Sequence, residues 1–363
     1  MIEAGTELPE EENAETLATA KRRRKKKGTR NQSLTFFLRR GGMYIGLFIA
    51  TVVLNFILPR LIPGDPAQQQ IFALTQKLGR PPGPLEVQSI LDRYGDPNEN
   101  IFVSFFKYVG KLFSGDWGLS TYFYPQPVVE VIFRAMPWTI YLGLASTLIG
   151  WIVGTYLGIK VGWKPGGKFD AILTPIAMFI GRITPFWLAI LIVVVFSYTL
   201  QWFPGQGAYN TALTVNFLDP IFLLSVLVYS ILPLFTLVLV GFAQTMFSMR
   251  NMMITTINED YVQLARAKGL SAKRVRNSYA ARNAILPSIT ALAGSMGGIL
   301  FAVVLAEGVF AYPGVGQVLG VAEANRDYPL LQGILLVTTI FTLVFAFIMD
   351  SVYGLLDPRI RES

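Results

Sequence analysis

Long uncharged apolar runs alternate with polar segments along most of this chain. A helix needs about 20 apolar residues to cross the hydrocarbon core of a bilayer. Runs of this kind occupy residues 137–159, 183–207, 220–249, 285–306 and 329–349. A shorter run at 43–58 becomes long enough if the side chain of Arg60 extends to the membrane interface. The pattern therefore predicts an all-α polytopic membrane protein with six transmembrane helices.

Composition narrows the class of function. The chain is 52% hydrophobic and 15% charged, whereas a soluble domain carries about 25% charged residues. It contains no cysteine and no histidine, which excludes disulfides and removes the commonest general base and metal ligand. Neither Gly-Lys pair is followed by the Ser or Thr of a phosphate-binding loop. We expect no catalytic residue, no metal site and no cofactor in this chain, so that another polypeptide would bind any ATP.

The basic residues predict the orientation. They concentrate before residue 43, at 160–168 and at 250–282, which all face the cytoplasm if both termini are cytoplasmic. The third span should then begin near Ala171 and contain Arg182. The predicted division is a disordered charged tail at 1–35, a first transmembrane helix at 36–62, an extracytoplasmic loop domain at 63–136, a membrane core at 137–357 and a cytoplasmic C-terminus at 358–363. The tail would bind anionic headgroups or a protein partner, and no folded basic surface accompanies it to favour nucleic acid.

The predicted outer loop is too long for a simple connection. It holds two plausible helices, 85–94 and 100–113. The second is amphipathic, with an apolar side opposed to two lysines: Phe102, Phe105, Phe106, Val109 and Phe113 against Lys107 and Lys111. Two compatible interpretations stay open, a helix lying on the membrane interface and an outer cap that helps receive a solute.

Small and charged residues mark further positions inside the spans. Glycine recurs at every fourth position of the second span, at Gly150, Gly154, Gly158 and Gly162. Such a stripe lets another backbone approach closely, for helix packing or as a sliding surface. Arg182 and Glu307 are candidates for a translocation path because charge in the membrane is costly. The alternatives are an acidic partner for Arg182 and interfacial solvation for Glu307.

The segment 260–287 lies between the fourth and fifth spans and should form a charged cytoplasmic hairpin. A short helix at 261–268 would end at Gly269 in the left-handed conformation, and Ser271 would cap the next helix. Ala265, Ala267 and Gly269 would leave a narrow surface suited to a cleft, with Arg266 and Lys268 supplying charge. A basic connector resting on lipid headgroups is the alternative.

This hairpin resembles the "EAA" loop of importer-type ABC transporter permeases, in the form found in dipeptide/oligopeptide permeases. The matching stretches are Asp260-Tyr261-Val262, Ala265-Arg266-Ala267-Lys268-Gly269-Leu270-Ser271 and Arg282-Asn283-Ala284-Ile285-Leu286-Pro287. Gln263 and Leu264 replace the usual glutamate and first alanine. Further matches to the first-permease ("B") type follow in the same order: Pro63-Gly64-Asp65-Pro66, Gly115-Asp116-Trp117-Gly118-Leu119-Ser120, Glu307 to Gly316 and Asp357-Pro358-Arg359-Ile360-Arg361.

The resemblance implies the type I ABC importer permease fold in a prokaryotic inner membrane. It implies a heterodimer with a second permease subunit, two ABC ATPase subunits that bind ATP and Mg, an extracytoplasmic solute-binding protein and surrounding membrane lipids. The coupling loop would be 251–286. The ATPase-coupling residues would be Asp260, Tyr261, Ala265, Arg266, Ala267, Lys268, Gly269, Leu270 and Pro287.

The same resemblance implies import of di- or oligopeptides, with oligosaccharides or nickel chelates as alternatives. An ion-coupled secondary transporter would show internal repeats and paired mid-membrane carboxylates, which the sequence lacks. A membrane scaffold would not need the hairpin.

Overall fold

The computed structural model describes residues 40–57, 66–94, 100–295 and 299–356. Every regular element in these ranges is helical, apart from an isolated bridge between Leu119 and Pro127. The predicted tail at 1–35, the C-terminus at 358–363 and the first residues of the Pro63–Pro66 motif lie outside the described residues.

The described helices follow one another along the chain. They are α1 (Arg40–Ile57), α2 (Pro66–Leu78), α3 (Pro84–Tyr94), α4 (Ile101–Phe113), α5 (Val128–Trp163), α6 (Lys168–Ile180), α7 (Pro185–Ile192), α8 (Pro220–Ile257), α9 (Asp260–Ala267), α10 (Ala272–Arg274), α11 (Arg282–Ser295), α12 (Ile299–Phe310), α13 (Val315–Ala324) and α14 (Tyr328–Leu356). π-Helical stretches continue α7 over Val193–Thr199 and α10 over Val275–Ala281.

Four described helices, α1, α5, α8 and α14, are each long and apolar enough to cross a membrane. Two bent pairs add to them. One joins α6 to Pro185–Thr199 at 102°, and the other joins Ala302–Phe310 to α13 at 71°. The described part of the chain therefore reaches the predicted six spans only if each bent pair counts as one span.

The third span is broken where a continuous helix was expected. Gly181 closes α6 by donating its N–H to the Ala177 carbonyl at 2.9 Å. Thr184 then adopts an extended backbone (φ −66°, ψ 145°) before Pro185, the first residue of α7. A residue that precedes proline is disfavoured in the helical region, whereas proline itself suits a helix start. Arg182 consequently lies in the bend, exposed, and not inside a helix.

The second and fourth spans are longer than their apolar runs. Helix α5 has 36 residues and α8 has 38. Helix α5 begins at Val128, inside the predicted loop 63–136, and α8 continues to Ile257 beyond the predicted end at 249. Charges do not stop α5, because Glu130 and Arg134 pair at 2.7 Å one turn apart on its exposed side.

The predicted outer loop packs against the bundle through α4 and the segment after it. Phe105 and Tyr108 of α4 contact Phe56 of α1, with ring centroids 5.2 and 5.6 Å apart. The buried carboxylate of Asp327 accepts hydrogen bonds from the Ser120 hydroxyl and from the Tyr122 N–H, the latter at 2.9 Å. These contacts fix the loop to α1 and to the start of α14. We call this end of the bundle the loop end, and the opposite end, where α9 lies, the hairpin end.

Candidate functional site

Helix α9 forms the tip of the connection between α8 and α11. Its C-terminus closes with Lys268 donating to the Leu264 carbonyl at 3.0 Å and Gly269 donating to the Arg266 carbonyl at 2.9 Å. Gly269 has φ +72°, a conformation that glycine adopts without strain. The left-handed helix end expected at Gly269 is therefore present. Ser271 occupies the N-cap position of α10, as expected, but its hydroxyl makes no capping bond; its carbonyl accepts from the Val275 N–H at 3.0 Å.

One side of α9 is buried within the chain. Val262 and Ala265 are 0% and 2% exposed. They pack against the end of α8 and against residues 272–284, from α10 to the start of α11, which we call the return segment. The cluster includes Met249, Met253, Val275, Ala280, Ala281 and Ala284. Ala265 was expected on an exposed narrow surface, and this placement corrects that expectation. Its small side chain lets α9 lie close to α8, so α9 is held by apolar packing to two transmembrane helices.

The other side of α9 is open. Tyr261 is 37% and Leu264 57% exposed, and Ala267, Lys268 and Gly269 are also exposed. Tyr261, Leu264 and Lys268 recur at helical spacing and so share a face. We call these three residues the hairpin face. Leu264 was not predicted as a site residue, although an apolar side chain in place of the usual alanine is a signal that the sequence offered.

Arg266 points away from this face. Its guanidinium lies 5.1 Å from the ring centroid of Trp163, the last residue of α5. Such a cation–π contact contributes about 0.5–1 kcal/mol at an exposed site. Arg266 was predicted to contact a partner; in this chain it connects α9 to the second span. Asp260 begins α9 and Leu270 follows it, while Pro287 lies within α11.

An ion pair that the sequence interpretation missed lies beside the hairpin. Asp170 of α6 accepts from Nε and from a terminal nitrogen of Arg250 on α8, both at 2.7 Å. It also accepts from the Gly166 N–H at 2.8 Å and from the Thr174 hydroxyl at 2.6 Å. With its acceptors filled and only 6% of its side chain exposed, this carboxylate joins α6 to α8 near the point where α9 begins. The sequence feature that could have predicted this pair is an acidic residue in the first turn of the helix that follows Gly166-Gly167.

The glycine stripe of α5 lies directly against α8. A Cβ on Gly154 would be 2.7 Å from the Phe242 carbonyl oxygen, and one on Gly158 would be 2.7 Å from the Met246 carbonyl oxygen. At Gly162 the corresponding distance to the Arg250 carbonyl oxygen is 2.8 Å, and a Cβ on Gly150 would be 3.4 Å from the Phe242 backbone nitrogen. No larger residue fits at Gly154, Gly158 or Gly162 without a shift of the α8 backbone.

A cavity of about 500 Å³ opens between α5, α8, α11 and α12. We call it the bundle cavity. Its lining has hydroxyl and amide groups among apolar side chains and contains no charged residue; its polar members are Ser146, Thr147, Trp151, Gln244, Thr245, Ser248 and Ser288. The Trp151 indole donates to the Ser288 hydroxyl at 3.0 Å, which ties α5 to α11 across one wall.

Neither predicted path residue lines the bundle cavity. Arg182 lies in the bend between α6 and α7. Glu307 is fully buried, and its Oε2 accepts from the Gly316 N–H at 2.7 Å, at the first turn of α13. A Cβ on Gly314 would overlap this carboxylate. The Glu307–Gly316 motif thus forms a compact turn between α12 and α13, in which the carboxylate caps a helix.

The sequence of this chain is similar to those of known proteins. Residues 130–362 match the family described as binding-protein-dependent transport system inner membrane component. The chain is 33% identical over 345 residues to the di/tripeptide transport system permease protein DppB of Pseudomonas aeruginosa, which covers 91% of this chain and 99% of that protein.

Two further relatives show the same extent of similarity. The oligopeptide transport system permease protein AppB of Bacillus subtilis is 29% identical over 327 residues, covering 90% of this chain and 99% of that protein. The oligopeptide transport system permease protein OppB of Haemophilus influenzae is 31% identical over 316 residues, covering 87% and 95%. The resemblance noted from the hairpin and the flanking motifs is confirmed: this chain belongs to the family of inner membrane components of binding-protein-dependent transport systems.

Proposed function

We propose that this chain is a permease subunit of an ATP-driven peptide importer and that its hairpin face receives force from a cytosolic ATPase subunit. The relatives named above are peptide transport permeases, which supports the cargo class. The observation that carries the coupling role is the two-sided packing of α9. Its inner side packs against α8 and the return segment, while its outer side is exposed to solvent.

Rigid attachment is what force transmission requires. A flexible loop would absorb a displacement, whereas α9 is bound to α8 by buried Val262 and Ala265 and to α5 by the contact of Arg266 with Trp163. The Asp170–Arg250 pair extends the connection to α6. A push on the hairpin face would therefore move three membrane helices together.

The hairpin face is suited to a protein partner. Tyr261 and Leu264 offer apolar surface and Lys268 a charge at its edge. Aromatic and apolar anchors within a polar rim are typical of the energetically important part of an interface. A second permease subunit, a second ATPase subunit and an extracytoplasmic solute-binding protein complete the proposed assembly, with the hairpin end in the cytoplasm and ATP and Mg bound by the ATPases.

In this proposal the bundle cavity forms this subunit's half of the translocation path. Peptides share a polar backbone but vary in side-chain charge. A lining of hydroxyls, amide and indole offers hydrogen bonds to the backbone without selecting the side-chain charge. This chemistry favours peptides over nickel chelates, for which charged or imidazole ligands would be expected.

The test is Leu264→Glu in the full permease complex. We expect the variant chain to insert normally, because Leu264 contacts solvent and not the core. Association with the ATPase subunit should weaken at least tenfold, since a buried charge without a partner costs more than 1.4 kcal/mol. Peptide uptake should fall with it. Co-purification of the ATPase and uptake of a radiolabelled dipeptide measure the two effects.

Gln263→Glu is the matched control, because it adds the same charge at the adjacent exposed position, where related loops carry glutamate. It should retain both association and uptake. Normal association and uptake by the Leu264→Glu variant would show that the hairpin face does not contact the ATPase subunit, and would contradict the proposed coupling role of α9.

A further inference from the structure

Helix α4 has three different sides around its axis. One side packs against α1. On the second side lie Phe102, Phe106 and Phe113, which recur at spacings of four and seven residues and therefore share a face. They are 70%, 70% and 74% exposed, and we call them the α4 aromatic face. Lys107 and Lys111 are one turn apart and lie on the third side.

The packed side of α4 lies well inside two candidate membrane spans. Tyr108 belongs to one apolar cluster with Phe56 of α1 and Leu336 of α14, and Ile340 packs against that cluster. Helix α14 begins at Tyr328, so Leu336 and Ile340 lie about 12 and 18 Å along it at a rise of 1.5 Å per residue. The turns of α1 and α14 at this depth are apolar. Helix α4 therefore lies beside the apolar part of these spans.

Helix α1 indicates what surrounds α4 at this depth. It is long and apolar enough to cross a membrane, and it has exposed apolar side chains along its length, among them Ile45, Ile49 and Leu54. In a membrane-spanning chain such side chains contact acyl chains. A helix that packs on the side of this span, at the level of its apolar turns, has the same lipid beside it.

We propose that α4 is an interfacial helix whose aromatic face is inserted into the leaflet at the loop end. With 13 residues it is about 20 Å long, too short to cross a hydrocarbon core of about 30 Å, so it occupies one leaflet. Aromatic rings on one side and lysines on another are typical of helices that lie at a membrane surface. The rings enter the acyl region, and the flexible lysine stems carry their charge towards the headgroups.

A lipid surface fits the α4 aromatic face better than a protein partner does. The energetically important positions of protein interfaces are enriched in tryptophan, tyrosine and arginine, whereas this face consists of phenylalanine alone. Its position beside apolar turns of α1 and α14 also places it where a water-soluble partner would have to displace lipid. The insertion would hold the loop end to the membrane independently of the peptide path.

The experiment uses the absence of cysteine from this chain, which allows a spin label to be attached at one chosen position. Phe102→Cys and Phe106→Cys each place the label on the α4 aromatic face, and both native side chains are exposed, so two independent variants test the same surface. The labelled full-length chain is reconstituted into vesicles of equal parts phosphatidylcholine and phosphatidylglycerol. Electron paramagnetic resonance then measures the collision rates of the label with oxygen and with a water-soluble nickel chelate.

Oxygen dissolves in acyl chains, whereas a polar chelate is excluded from them. We expect the ratio of oxygen to nickel collisions at both positions to be about tenfold higher than at a water-exposed position. Gln88→Cys on α3 is the water-exposed control, and Leu54→Cys on α1 is the acyl-chain reference; both native side chains are exposed. The labels on the α4 aromatic face should match the reference at Leu54.

Two outcomes would overturn the proposal. A nickel collision rate at positions 102 and 106 as high as at position 88 would show that α4 lies in water, outside the leaflet. Low collision rates with both oxygen and nickel, together with a strongly immobilised label, would show that protein and not lipid covers the α4 aromatic face.

Discussion

The carboxylate of Glu307 stabilises the turn by which α12 passes into α13. It accepts the Gly316 N–H, and neighbouring Thr139 on α5 accepts the Val315 N–H at 2.8 Å. Two of the free N–H groups at the start of α13 are thus satisfied by side chains of two other helices. This arrangement explains why glycine is needed at Gly314 and Gly316: a Cβ would overlap the carboxylate at the first position and the Val304 backbone at the second.

Glu307→Gln should retain fold and uptake, because the amide oxygen can still accept from Gly316. Glu307→Leu leaves that N–H buried and unpaired, which should cost about 1–3 kcal/mol. Thermal unfolding of the detergent-purified chain measures the loss. A Glu307→Gln variant with unchanged thermal stability but abolished uptake would restore Glu307 to the translocation path.

At this scale the sequence predicts backbone requirements better than side-chain directions. Gly269 was expected to be left-handed because a glycine after a short helix has few other uses. The inward position of Ala265 depends on how α9 docks against α8 and the segment after α9, and Arg266 contacts Trp163 about a hundred residues earlier in the chain. Local sequence pattern does not encode either contact.

At the scale of elements, α5 and α8 form the central pair of the bundle. Their contact rests on glycine at every fourth position of α5, and at Gly154 and Gly158 each prospective Cβ faces a carbonyl of α8. Close backbone approach of this kind supplies dispersion and weak hydrogen bonds in a membrane, where apolar burial adds little.

Gly158→Ala should destabilise the chain by about 1–3 kcal/mol, because the added methyl group overpacks the helix contact. Gly320→Ala in α13 is the control, since no atom lies within 4 Å of its prospective Cβ. Alanine should stabilise that helix by up to about 1 kcal/mol. Thermal unfolding compares the two, and equal effects would contradict the packing role of the stripe.

The sequence predicted the long apolar helices and the amphipathic α4, because both rest on periodicity. It missed α2, whose polar PAQQQ start gives no clear apolar face, and it ran the third span through Thr184-Pro185. There the backbone preference of the pre-proline residue outweighs the apolar run. Sequence periodicity detects the continuous apolar stretch and not the direction of its axis.

At the scale of the whole molecule, the polar cavity is assembled from four helices distant in sequence. No single span shows a polar stripe strong enough to predict it. The sequence therefore pointed to the charged residues Arg182 and Glu307 as candidates for the path instead. Overall charge pattern and family motifs predicted the class of protein. The bundle cavity, which we propose as part of the path, became visible only from the packing of the helices.

Gln244→Lys should change which peptides pass. Gln244 is an exposed member of the bundle-cavity lining, and a fixed cation there would repel lysine-containing peptides more than glutamate-containing ones. We expect the uptake ratio of Ala-Glu to Ala-Lys to rise several-fold, while Gln244→Met leaves it unchanged. An equal loss for both peptides would show that position 244 affects folding or coupling and not the path.

The interlocked backbones of α5 and α8 limit where this protein can move. The two helices cannot slide or rotate against each other at the glycine contacts without steric overlap. They should therefore move as one rigid body, together with α9. Among the described residues, bending would then be easiest at the breaks within the two bent pairs, the 102° bend at 181–184 and the 71° bend at 311–314. A change of conformation would then consist of bending at these two breaks, while α5 and α8 move as a rigid pair and the helices keep their shape.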